Sequence, residues 1–177
     1  IDDLIESISA TEATLNLLWK REANNVDKPK LKIFVFSKNR DFKEYSINRN
    51  LAGFYTQTGN EPYIFIGSDS QKSVILHEIA HHFQIGGNNF NFPEWYVEGF
   101  AELVSTIETR RGSIRFGKAP DRLRIFNQRR PMKIRDLFEN TYKKDIISSN
   151  VFYATSWALI KTILFSDDKS LSVGFDK

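Results

Sequence analysis

Cysteine is absent from this chain. Without it there is no disulfide, no thiolate nucleophile and no thiolate-bound zinc. The absence fits any compartment. Long apolar runs are also missing. The greasiest stretches, "YIFIG" and "WALIKTILF", are the size of a strand or a core helix, short of the ~18 residues that suggest a membrane span. Charge of one sign is scarce: a net +3 over 177 residues is too mild to argue for nucleic acid by itself. Internal repeats and low-complexity segments are lacking. Histidine is rare, with three in total. The chain begins at Ile1 rather than Met, which reads as a processed product or a fragment, with any signal peptide already removed.

What is present is material for a core. Hydrophobic residues make up 41% of the chain, including 15 Phe, 6 Tyr and 3 Trp, enough to fold without staples. The length fits one domain, residues 1–177, strand-rich over 31–68 and helical over 69–177. Apolar spacing predicts a helix over 3–24, with Leu15, Leu18 and Trp19 on its buried stripe. "LKIFVFS" reads as a strand, and "NRDFKEYSINR" as a short helix with Asp41 as a candidate cap. "LAGFYTQ" and "PYIFIGS" flank the polar turn "TGNE" as a hairpin.

A helix follows over about 71–85, with Asp69 or Ser70 to cap it and Gly86 and Gly87 to stop it. Pro93 then opens a second helix, "PEWYVEGFAELVSTIETRR", which Gly112 ends. "SIRFGK" reads as a short strand and "MKIRDLFEN" as a short helix. A longer helix covers 150–165, capped by Ser148, Ser149 or Asn150. Strands first and helices after argue for an α+β fold: a small mixed, partly antiparallel sheet packed on the helix at 71–85, then a mostly helical C-terminal part.

All three histidines fall in one segment, "VILHEIAHHF", at 77, 81 and 82. Positions four apart share a helix face about 6 Å apart along the axis. The imidazoles of His77 and His81 can therefore reach one ion. Glu78 sits beside that face, placed to take a proton from a water held there. This is the mechanical content of H-E-x-x-H on a helix, a zinc-peptidase pattern. His82 lies about 100° round the helix and reads as a neighbour, not a ligand.

A catalytic zinc takes a third protein ligand and keeps one position open. With no cysteine and no further histidine, that ligand is a carboxylate. The second helix offers Glu94, Glu98, Glu102 and Glu108. Glu98 comes after a Gly-rich loop that lets the second helix fold back beside the first. Glu102, one turn on, can accept the other ring N–H of a ligating histidine and so fix its tautomer.

Together "HEIAH" and "WYVEGFAE" resemble the gluzincin metallopeptidases, the superfamily of thermolysin and aminopeptidase N. The likeness spans roughly residues 31–165 and is nearest to small peptidase-MA-like proteins with the order "aGfY", "HExxHH", "EGxAE", "YxxSWAL". It implies a zincin-like fold and a zinc ion held by His77, His81 and Glu98. It also implies support of a histidine by Glu102, general-base catalysis by Glu78 and peptide-bond hydrolysis. "VFYATSWALIKTIL" resembles the helix carrying the catalytic tyrosine of aminopeptidase-N-like enzymes, and Tyr153 takes that position. The superfamily's edge strand implies a substrate lying extended along 51–57. Exported relatives imply a periplasmic or extracellular setting. The signature that anchors a free N-terminus is absent around "NRNLAGFYTQ", which argues against aminopeptidase activity.

Two rival readings stand beside this one. A catalytically silent module of the same fold would bind a peptide, glycan or protein partner; an intact Glu78 speaks for the enzyme. The basic residues between Arg110 and Arg135 read as a solvated face, or as a rim attracting acidic substrate groups. As a nucleic-acid or anionic-lipid surface the stretch is poor, because only Phe116 and Phe126 interleave it. The expected partner is a peptide or protein substrate, with no nucleic acid and no transmembrane segment.

Overall fold

A computed structural model describes residues 2–18, 30–46, 48–85 and 92–168 of the chain. The first helix, α1, is Asp2–Leu18; the predicted extension through Trp19 to residue 24, and the glycines after the histidine helix, lie outside the described residues. Three strands follow: β1 at Lys32–Val35, β2 at Gly53–Thr58 and β3 at Glu61–Ile66. Between the first two lies α2, Asn39–Tyr45. Asp41 belongs to its first turn, while Lys38 stands at the cap without a side-chain bond.

The sheet order is β1-β3-β2. β1 runs parallel to β3 and β2 antiparallel to it. The sheet is thus small and mixed, as expected, and β2 forms an edge. Ile64 and Ile66 on β3 are fully buried beneath the helices, while Phe34, Phe54 and Phe65 stack across the opposite face.

Helix α3, Lys72–Ile85, packs on β2 and β3. Helix α4, Glu94–Val104, lies against α3, and α6, Ile146–Phe165, lies against α4. Leu76, Ile79, Phe100, Leu103 and Ile160 join the core where these layers meet. Among the described residues, no helix is long and apolar enough to cross a membrane.

Three local expectations need correction. The second helix stops at Val104, not at Arg111. Ser105 Oγ and Thr106 Oγ1 donate to the carbonyls of Glu102 and Leu103, giving the last turn side-chain partners that compete with helix continuation. The β-prone residues beyond it form a hairpin instead: β4 at Glu108–Arg110 replaces the end of the expected helix and pairs with β5 at Ser113–Arg115, where a short strand was expected. Gly112 adopts φ +73° in that turn, a conformation costly for residues with a Cβ. The long helix starts at Ile146 and not at residue 150. Its cap is Asp145, which accepts the Ser148 N–H at 2.8 Å; an acidic side chain at that point also suits the positive end of the helix dipole. The short α5 spans Ile134–Phe138, and a 3₁₀ segment spans Asp121–Asn127.

Candidate metal centre

The four-residue spacing on α3 brings the rings of His77 and His81 edge to face, with centroids 4.8 Å apart. Helix α4 runs alongside and sets Glu98 against both. Glu98 Oε2 is 3.2 Å from His77 Nε2 and 3.6 Å from His81 Nε2. One ligand atom from each of the three residues falls within 4.8 Å of the others. A tetrahedron with bonds of about 2.0–2.2 Å has edges of roughly 3.3–3.6 Å. The two measured edges bracket that range, so the donor set can hold a small divalent cation.

Electrostatics favour the same use. Burial lowers the pKa of both His77 and His81 to about 4, so both imidazoles are neutral at physiological pH, the state in which a ring nitrogen has a lone pair to give. Burial raises Glu98 above the usual carboxylate range, opposed chiefly by His81. Glu78, 8% exposed, is pushed up to about 8 by burial and then by the charge of Glu98, while a hydrogen bond from the Tyr55 backbone acts the other way. Two buried acids so close repel each other's charge. A cation between them would relieve that repulsion.

A second layer of polar groups surrounds these four. Glu102, 4% exposed, places Oε1 3.5 Å from His77 Nδ1. Arg122 Nε donates to the same Glu102 oxygen at 3.0 Å. Tyr153 on α6 lies with its ring centroid 6.2 Å from that of His77. Burial, then the charge of Glu98, holds its phenol proton well above the usual range, with Arg122 opposing. The phenol is therefore a donor throughout the physiological range.

Gly99 explains how α6 comes so near. A Cβ at that position would sit 2.5 Å from the Ser156 carbonyl oxygen and 2.9 Å from Ile160. Only a hydrogen there allows the two helices to touch, so the residue after Glu98 decides how closely the helix bearing Tyr153 can approach.

Two clefts meet at the site. One, of about 290 Å³, is lined by Phe54 and Tyr55 of β2 together with His81, Val97 and Glu98. The other, of about 1080 Å³, extends past Glu102, Arg122 and Asn150 towards Asn48 and Gln128. His77, Glu78 and Tyr153 line both.

Of the four glutamates offered by the second helix, only Glu98 and Glu102 face the histidines. Glu94 pairs with Lys144 at 3.1 Å and with Asn140. Glu108 belongs to β4 and meets Lys118 at 3.3 Å. His82 turns away towards Tyr55, ring centroids 5.8 Å apart. Sequence reasoning missed Arg122 and Asn150. Arg122 stands among many basic residues, and no local spacing separates it from its solvated neighbours. A comparison of the chain with protein-family models, with curated proteins and with solved structures finds no match.

Proposed function

We propose that this chain is a zinc metallopeptidase of gluzincin type on a zincin-like fold. The observation that carries the reading is the triangle of His77, His81 and Glu98 with the buried carboxyl of Glu78 alongside. Two imidazoles and one carboxylate, with both carboxylate–imidazole edges near tetrahedral length, suit zinc. When bound, zinc would act as a Lewis acid on the scissile carbonyl and make a water nucleophilic near neutral pH.

The remaining steps belong to the chain's own residues. Glu78 takes the proton of the attacking water and passes it to the departing amine. Glu102 lies 3.5 Å from His77 Nδ1, placed to take that N–H and leave Nε2 for the cation. Tyr153 donates its phenol proton in a hydrogen bond to the oxygen on which charge develops. The edge of β2, unpaired by any other strand among the described residues, offers backbone groups to an extended peptide, aligning the bond to be cut.

Metal analysis and a peptide-library digest, run on the parent and on Glu78→Gln, test the proposal. Both proteins should hold one zinc per chain. The parent should cleave, and the variant should be slower by about 10²–10⁴-fold. Equal cleavage by the two removes Glu78 from the chemistry and the proposal with it. Zinc without any cleavage by the parent would leave a peptidase-like binding module.

A further inference from the structure

We infer that Arg122 is a positioning residue of the metal centre, a single guanidinium that holds Glu102 behind His77 and Tyr153 beside it in fixed relation. The inference rests on the metallopeptidase reading. Arg122 comes from the 3₁₀ segment, which belongs to neither helix of the site. Its Nε donates to Glu102 Oε1 at 3.0 Å and its Nη1 to Asn150 Oδ1 at 2.6 Å. Its Cζ lies 4.6 Å from the centre of the Tyr153 ring. Asn150 precedes Tyr153 by one helical turn, so the second bond and the ring contact both hold the same stretch of α6. The first bond holds α4.

The arrangement depends on the shape of the side chain as much as on its charge. A planar fork presents donors in two directions while its face covers an aromatic ring. The Glu102 oxygen that receives Nε is also the one 3.5 Å from His77 Nδ1. Arg122 therefore orients the carboxylate that lies against Nδ1 of the histidine. Its neighbours do nothing comparable. Arg124 pairs with Asp121 where both side chains are 81% exposed, whereas Arg122 meets a Glu102 side chain that is 5% exposed. Exposed pairs of the first kind hold little in place. A charge facing a buried carboxylate holds much more, because the carboxylate is costly to leave unpaired.

The test uses Arg122→Met, Arg122→Lys and Asn150→Ala. Zinc affinity is read by competition with a chromophoric chelator, and kcat and KM are read on a peptide that the parent cleaves. Thermal melting of the metal-free proteins identifies which variants fold. Both Arg122 variants should bind zinc about 10–100-fold more weakly. Their kcat should fall while KM stays within about two-fold. Lysine should not rescue, because an ammonium on a flexible stem cannot reproduce the fork and the ring cover. Asn150→Ala should show a smaller loss in the same direction. Parent-like zinc affinity and kcat in folded Arg122→Lys and Asn150→Ala overturn the inference. A change confined to KM also overturns it and makes Arg122 a substrate contact. A parent that takes up no zinc defeats the metallopeptidase reading as well, and is told apart because parent and variants then fail alike.

Discussion

Tyr153 and Glu98 differ in what their loss should do, although both line the smaller cleft. Replacing Tyr153 by Phe keeps the ring that packs near His77 and removes only the donor. Turnover should fall by about 10²–10³-fold with zinc affinity little changed, as steady-state kinetics and metal competition would record. A parent-like rate would make Tyr153 a packing residue. Glu98→Ala removes a corner of the triangle. Zinc content after dialysis should drop well below one per chain, and unchanged content would mean that another acid binds the ion. Much at this scale is legible in the chain. The spacing of His77 and His81 needs only a helix to bring the two rings together, and scarcity of histidine and lack of cysteine leave an acid as the third member of the candidate cluster. Arg122 is not legible, because its partners lie 20 and 28 residues away and no pattern in its own segment points to them.

Helices α4 and α6 meet through Gly99, and the site inherits the precision of that contact. Gly99→Ala would drive a methyl group against the Ser156 backbone, which cannot rotate aside as a side chain can. Such overpacking costs on the order of 1–3 kcal/mol. Denaturant unfolding should show the loss, and activity should fall further than stability alone explains, because Tyr153 would move relative to Glu98. A variant with parent stability and rate would show that the helices have slack. The existence of the longer elements follows from apolar period and turn residues. Element ends do not, since they depend on contacts that a period does not contain. Apolar content carries α4 on to Arg111, but Ser105 and Thr106 bond its last carbonyls and release the chain into a hairpin. The start of α6 is set by Asp145, ahead of three residues equally able to cap.

At the scale of the molecule the buried site ties stability to pH, and on the proposed function to metal as well. His77 and His81 titrate near 4 in the fold against an ordinary 6.5. The unfolded chain therefore binds more protons between those values, and stability falls as pH drops through them. Glu78 works in the opposite sense, near 8 in the fold against 4.5. The folded chain binds more protons there, and stability falls as pH rises from 4.5 to 8. A divalent cation favours neutral imidazole and ionised carboxylate, the forms that prevail at higher pH. The rise in melting temperature on adding zinc should thus be larger at pH 8 than at pH 5, by differential scanning fluorimetry. An equal rise at both would separate metal uptake from these groups. The small mixed sheet with helices packed on it follows from the order of elements, whereas the docking of the 3₁₀ segment on α6 depends on long-range pairing.

Because every histidine of the chain sits on α3, an imidazole-selective isotope label illuminates that helix and nothing else. Three resonances then make a background-free window through which cation, peptide or inhibitor can be watched arriving, with the rest of the spectrum left unassigned.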